Sequence, residues 1–289
     1  MAKDSPKGKI REAAVAGIFY PEEREELERE VNRLVTEQTA CLASAGALGA
    51  HAIISPHAGL GYSGDLAALA WGSVSPRSIE RVVVLAPLHR AEESLVYLPE
   101  SECFSTPLGP VEVDMRAVSD ILDCGTAFVV NDIPHLEEHG VEMQLPFMRL
   151  LYPGARLVPI LVGKASPALV KSLASALSLV FADARATTLF VISTDLAAGH
   201  DALAIAQRTD ELLAFLKDGD WKAILDFGGP AEELACGAAC LASWLSSRLS
   251  SNTAAVILGH HDSSATRQSD QERLVHYAAV AFVGKEAPQ

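Results

Sequence analysis

Along the chain, continuously apolar runs alternate with stretches whose apolar residues recur every three or four positions. The runs cover 52–54, 82–85, 157–162, 189–192, 255–258 and 278–283. They lack the in-and-out alternation of a half-solvated sheet, so most of them predict strands buried on both faces. The periodic stretches at 22–35, 167–181, 202–216 and 232–249 predict helices that lay one face on a core. Strands alternating with helices predict a three-layer α/β/α domain around a largely parallel sheet. No repeat, low-complexity tract or linker divides the chain. One domain is therefore expected over 10–285, behind a flexible tail at 1–9.

Several passages between elements carry punctuation. Pro21 precedes the charged run EEREELERE, where a missing N–H costs nothing in the first helical turn. Gly59, Gly61 and Gly64 surround Tyr62 and read as a loop in which the backbone turns sharply or approaches a ligand. STPLGPVEVD (105–114) reads as a turn followed by a short alternating strand, a hairpin beside the main sheet.

In a parallel α/β sheet, ligands bind beyond the carboxyl ends of the strands, where loops and helix N-termini converge. Two predicted strands end there in a proline and then a histidine: Ser55-Pro56-His57 and Ala86-Pro87-Leu88-His89. Each histidine is either a loop residue satisfied by its neighbours or a metal ligand, since neutral imidazole suits iron, copper, zinc or nickel. A third strand ends in Ser193-Thr194-Asp195, and Asp195 is placed to orient a ligand histidine or to close a turn or cap. A fourth runs into Gly259-His260-His261-Asp262. Neighbours in extended chain face opposite ways, so at most one of His260 and His261 can serve a given site.

EHGVEMQLPFMRLL, from Glu138, reads as a helix that puts His139 and Glu142 on one face. Its alternative is a solvated first turn whose acids complement the helix dipole. Cys236 and Cys240, four apart in LACGAACLASWL, read as buried structural cysteines from the residues alone. No P-loop, GxSxG elbow, HExxH or strand-following GxGxxG is present, which argues against an NTPase, a common serine hydrolase, a zincin and a dinucleotide dehydrogenase.

The net charge of −14 opposes approach to a phosphate backbone, so nucleic acid is not an expected partner. Five scattered cysteines without a CxxC pair suit a reducing compartment, and a cytoplasmic location is expected. No apolar run approaches the roughly 20 residues of a membrane helix, and the N-terminus lacks a signal-peptide core.

REAAVAGIFYP (11–21), ISPHAGLGYSG (54–64), VVVLAPLHR (82–90), STPLGPVEVD (105–114), EEHGVEMQLPF (137–147), ISTDL (192–196), ACG (235–237) and YAAVAF (277–282) follow one another across nearly the whole chain. Together they resemble the Memo family, whose prokaryotic members are called AmmeMemoRadiSam system protein B; the combination of VAGxFYP, SPHAGxxYSG and EHxxExQLPF is highly specific. The resemblance implies a fold similar to the class III, non-haem iron extradiol dioxygenases. It carries a metal pocket onto His57, His89 and Cys236, with His139 and Glu142 on the pocket wall. A thiolate in place of the dioxygenase carboxylate favours a mononuclear iron(II) or copper, with zinc as a further option.

The departure lies in STDLAAGH, where relatives often read STDLSHYH. The histidine resembling the dioxygenase acid/base is Ala198 here and only His200 is kept. Acid–base work in the pocket then falls to His200, His139 or His261, with Glu142 beside His139. Three functions follow from the resemblance: a redox-active metal protein taking a small-molecule ligand, an adaptor acting with radical-SAM and AMMECR-type partners, and a zinc-dependent hydrolase.

Overall fold

The computed structural model describes residues 8–43, 49–74, 78–227, 235–265 and 273–285. Its strands are β1 (Ile10–Arg11), β2 (Ala52–Ser55), β3 (Arg81–Pro87), β4 (Val96–Leu98), β5 (Cys103–Phe104), β6 (Val111–Glu112), β7 (Phe128–Val130), β8 (Arg156–Val162), β9 (Thr188–Ser193), β10 (Ala198–Gly199), β11 (Thr253–Asp262) and β12 (Leu274–Gly284). Its helices are α1 (Arg24–Ala43), α2 (Leu60–Gly72), α3 (Met115–Leu122), α4 (Asp132–Glu137), α5 (Leu145–Leu151), α6 (Pro167–Val180), α7 (Ala202–Asp218), α8 (Trp221–Phe227) and α9 (Ala238–Ser246). Among the described residues no helix is long and apolar enough to cross a membrane.

The sheet runs β10-β12-β2-β9-β3-β8-β4-β7, with β11 paired to β12. Its central strands β2, β9, β3 and β8 are mutually parallel and almost wholly buried, as continuous apolar runs require. The flanks are mixed: β12 is antiparallel to β2 and β11, and β4 is antiparallel to β8. Helices α1, α2 and α5 pack as one layer, and α3, α6, α8 and α9 as the other. Trp244 of α9 packs against Phe190 and Phe282, while Trp71 of α2 stacks on Phe147. The α/β/α expectation holds, with the parallel character concentrated at the centre. Strands β4, β7 and β10 escape prediction because two or three residues carry no readable period.

The hairpin expected near 105–114 is β5–β6, joined by β1 into a separate three-stranded sheet. Residues 1–7 of the expected tail lie outside the described residues. Lys9 is already placed, its carbonyl accepting from Glu102 N–H (2.8 Å) and its ammonium pairing with Glu100 (2.7 Å) and Asp132 (2.9 Å).

Three local readings are corrected. The glycine-rich stretch after β2 is the start of helix α2, and Gly64 lies where α1 packs on it: a Cβ there would lie 2.9 Å from Leu34 Cδ1, so Leu34 would have to move. The helix expected at 232–249 begins at Ala238, and its residues 232–234 lie outside the described residues. EHGVEMQLPFMRLL is not one helix. Glu138 to Val141 form a turn, a 3-10 turn covers Glu142–Gln144, and α5 follows. His139 and Glu142 therefore do not share a helical face, and Glu142 is not a solvated acid.

Glu142 is instead wholly buried against an equally buried Arg11, and the two form an ion pair at 0% exposure. Arg11 also donates from Nε to the His135 carbonyl (2.8 Å) and from Nη2 to the Glu138 carbonyl (2.9 Å). Glu142 accepts from the Tyr20 hydroxyl (2.6 Å) and from the N–H groups of Val15 (3.0 Å) and Ala14 (2.9 Å). Every side-chain nitrogen and oxygen of the pair has a partner, which is the condition under which a buried charge pair is tolerated. The contact pins the N-terminal segment onto the turn that carries Glu138 and His139. Removing the guanidinium in Arg11→Ala leaves Glu142 charged in a dry interior. The expected cost is about 3–5 kcal/mol of unfolding free energy, measured by the urea midpoint against wild type.

Candidate metal centre

Because β2, β9 and β3 are adjacent and parallel, the residues that follow Ser55, Ser193 and Pro87 emerge at one rim of the sheet. That rim presents His57, Thr194 with Asp195, and His89. Cys236 reaches it from the turn before α9. The His57 and His89 nitrogens and the Cys236 sulfur lie within 4.8 Å of one another. Cys236 Sγ is 3.2 Å from His57 Nε2. Bond lengths of about 2.0 Å to nitrogen and 2.3 Å to sulfur put two ligands of one tetrahedral ion about 3.5 Å apart, so the spacing is that of a metal-ligand set. His57 is 1% exposed, whereas the His89 side chain is 34% exposed and forms the open side of the cluster.

The hydrogen bonds behind the rings decide which nitrogens face the sulfur. The Trp71 indole N–H can only donate, and it meets Gln144 Oε1 at 3.1 Å. Gln144 Nε2 is therefore a donor, to the Pro56 carbonyl (2.9 Å) and to Ser193 Oγ (3.0 Å). Ser193 spends its only proton on the Gly140 carbonyl (2.6 Å). His57 Nδ1, 3.0 Å from Ser193 Oγ, must then carry the proton of that bond, and Nε2 is left facing Cys236. Similarly, the Glu138 carboxylate accepts from His89 Nδ1 (2.8 Å) and from the His89 backbone N–H (2.7 Å), leaving Nε2 for the cluster. Imidazole ligands are commonly oriented in this way by a partner on the far nitrogen.

Cys236 owes its position to the glycine after it. A Cβ on Gly237 would lie 2.6 Å from Thr194 Cβ and 2.7 Å from its Oγ1, so only glycine lets this turn seat on the β9 rim. The seat is fastened by Gly237 N–H donating to Thr194 Oγ1 (2.9 Å).

His139 joins the cluster. Its ring stacks on His89 at 5.1 Å, meets His57 edge-on at 5.2 Å and is backed by Phe19 at 5.0 Å. Burial, with repulsion from His57 and His89, pushes its pKa down to about 4, so it is neutral near pH 7. Burial also lowers His89, but the Cys236 sulfur and Glu138 outweigh it and push His89 up to about 9. Together His89, Glu138 and His139 form a second group of donors within 4.8 Å.

Other candidates fall elsewhere. Glu142 is committed to Arg11 and turns away from the rim. His200 is exposed just beyond β10 and belongs to neither donor group. Asp195 accepts from the His57 backbone N–H (3.0 Å) rather than from Nδ1, and its carboxylate stands 4.0 Å from Nε2. His260 and His261 both lie in β11 and face opposite ways. His260 is exposed, and His261 Nε2 bonds both Asp65 oxygens at 3.1 Å. The orienting residues Ser193 and Glu138 were missed by the sequence reading. The only signal for them was their place, Ser193 at a strand end and Glu138 beside His139.

Two outcomes follow. Gly237→Ala should keep the fold but displace Cys236, so metal uptake measured by competition with a chromogenic chelator should fall at least tenfold. Acidification should destabilise the metal-free protein. His139 and the buried His135, both held near about 4 by burial first of all, must take up protons that an unfolded imidazole takes up near about 6.5. Their stabilising contribution is full above about 6.5 and is lost as pH falls toward about 4. Urea midpoints between pH 7 and pH 4.5 should drop, and His139→Gln should lessen the drop.

The Memo-like protein family model matches residues 11–281. A MEMO1 family protein of Thermotoga sp. (strain RQ2) is 29% identical over 282 residues, covering 94% of this chain and 99% of that one. One from Thermoplasma acidophilum is 27% identical over 276 residues, covering 94% and 98%. A MEMO1 family protein of Aeropyrum pernix is 38% identical over 161 residues, covering 53% and 57%. Among solved structures, an uncharacterized protein of Escherichia coli K12 superposes at TM-score 0.43 with 11% identity, covering 72% of this chain and 87% of that one. With a family match running from Arg11 almost to the end of β12, and with the motif residues gathered at one rim of the sheet, this chain belongs to the Memo family.

Proposed function

We propose that the chain is a metalloprotein whose His57 Nε2, His89 Nε2 and Cys236 Sγ hold one mononuclear transition metal, and that the centre is redox-active. The observation that carries this reading is the commitment of each ring's Nδ1–H to Ser193 and Glu138, which turns both Nε2 atoms and a thiol sulfur toward one point within 4.8 Å, where a metal would displace any proton still held on them. Two imidazoles with a thiolate are too soft a set for magnesium or calcium and suit iron(II) or copper, with zinc as the redox-inert alternative. Iron(II) or copper held there supplies a Lewis acid that can change oxidation state and keeps coordination positions open to a small ligand.

The protein's own residues prepare that chemistry. Glu138 and Ser193 hold the two rings in register. His139, neutral near pH 7, offers a proton acceptor at the cluster's edge, and Phe19 closes the pocket behind it. The exposed side of His89 leaves a way in for a small molecule.

A second reading is favoured by one specific position. Residue 198, where the resembling family often has an imidazole, is alanine, and His200 is exposed just beyond it. In that reading the chain acts as a binding partner alongside radical-SAM and AMMECR-type proteins, and its metal pocket is vestigial.

Protein purified without an affinity tag and analysed for metals should carry close to one equivalent of iron, copper or zinc. His57→Ala should carry almost none. Ser193→Ala, which keeps all three donors, should still bind but about 10–100-fold more weakly. Equal metal in wild type and His57→Ala, or none in either, contradicts the proposal.

A further inference from the structure

β11 is an edge strand of the main sheet: among the described residues it pairs with β12 and with no other strand. The edge at the far end, β7, is three residues long, and shortness is one way natural sheets keep an edge from recruiting further chains. β11 is ten residues long, and its stretch 253–259 (TAAVILG) holds neither a charge nor a proline. A bulge between Ile257 and Gly259 limits the regular part to 253–257.

The run at 255–258 is continuously apolar, the pattern of a strand covered on all sides. The neighbouring β12 meets that expectation and is buried over 276–282. β11 does not. Ala254, Ala255, Val256, Ile257 and Leu258 stay half-buried, although α2 and α7 both pack on the strand. The strand is short of one neighbour.

The ladder shows which backbone groups that neighbour would meet. Lys285 N–H donates to the Asn252 carbonyl (3.0 Å), one step beyond the Thr253–Gly284 pair, so the pair at 252 is a hydrogen-bonded one. Hydrogen-bonded pairs alternate along an antiparallel ladder, and Ala254 and Val256 therefore turn their N–H and C=O groups toward β12. Ala255 and Ile257 turn theirs outward, beside the Thr253 carbonyl. The Thr253 N–H is taken by the Ser250 carbonyl (2.9 Å).

We propose that 253–257 of β11 is the contact through which two copies of this chain pair, edge to edge and antiparallel, joining their sheets into one. A two-fold axis at Ala255 sets this residue opposite itself and Ile257 opposite Thr253, so each outward N–H meets an outward C=O. The occupant is a second copy for two reasons. An antiparallel strand is complementary to itself under a two-fold, and in a chain of net charge −14 an uncharged edge is where copies approach without repulsion. Five residues of strand with the helices beside them cover on the order of 900 Å² in total, below the roughly 1,200–2,000 Å² of stable complexes. The dimer is therefore a reversible one, and it forms apart from the metal centre.

Sedimentation equilibrium of the wild type at rising micromolar concentration should show the mass moving from one chain toward two. Ala255→Pro removes an outward N–H at a position where an edge strand tolerates proline. Its melting temperature should stay close to that of wild type, while association weakens at least tenfold, because two hydrogen bonds between the chains are lost together. Hydrogen exchange read by mass spectrometry needs no variant, and it decides the matter should Ala255→Pro fail to fold. Amides in the peptide covering 253–258 should exchange more slowly as concentration rises, while those of β7 should not change. Three results overturn the assignment: a wild type of single-chain mass at every concentration, a dimer that a folded Ala255→Pro leaves intact, and a dimer whose 253–258 amides exchange as fast as the monomer's.

Discussion

The centre depends on where two protons are kept. An imidazole offers a metal only the nitrogen that carries no proton, and here each far nitrogen is bound to a group whose own hydrogen bonding is already decided. For His57 the decision starts at Trp71, a donor that cannot accept, and ends at the Gly140 carbonyl, an acceptor that cannot donate. Trp71, Gln144, Ser193 and His57 are all nearly or wholly inaccessible, so an altered arrangement has no water with which to repair itself. For His89 the decision is made by a carboxylate that also accepts the residue's own backbone N–H. The donor geometry thus belongs to the folded protein itself.

The frame that carries these groups is rigid for separable reasons. The central strands are parallel and buried on both faces, and their ends define a rim on which short loops place single residues. The Glu138 turn is not part of that sheet. It is held from beneath by Arg11, which grips the carbonyls of His135 and Glu138 while neutralising Glu142. The N-terminal strand is thereby coupled through one guanidinium to the carboxylate that orients His89. Gly237 does the corresponding work for the thiol, because no side chain fits between that turn and Thr194.

Continuous apolar runs were enough to read the buried central strands, although the run at 255–258 became the half-buried β11, and the strand-end rule then pointed to His57 and His89. Cys236 was legible only through resemblance, because a cysteine in an apolar helix looks structural whatever it does. The errors share a cause. EHGVEMQLPFMRLL has helical periodicity, but it breaks into a turn and a 3-10 segment because Glu142 must reach a partner 131 residues away. The glycines after β2 suggested a loop, yet Gly59 precedes helix α2, Gly61 and Gly64 lie inside it, and Gly64 meets Leu34 of α1. Ser193 could not be singled out, as its contact with His57 exists only once β9 lies in register beside β2.

The central claim, that two nitrogens and one sulfur meet at a single metal, is tested most directly by X-ray absorption at the K-edge of whichever metal the protein carries. The account predicts one sulfur at about 2.3 Å together with nitrogen ligands at about 2.0–2.1 Å, the sulfur contribution vanishing in Cys236→Ser. A first coordination sphere of nitrogen and oxygen alone in the wild type would contradict it.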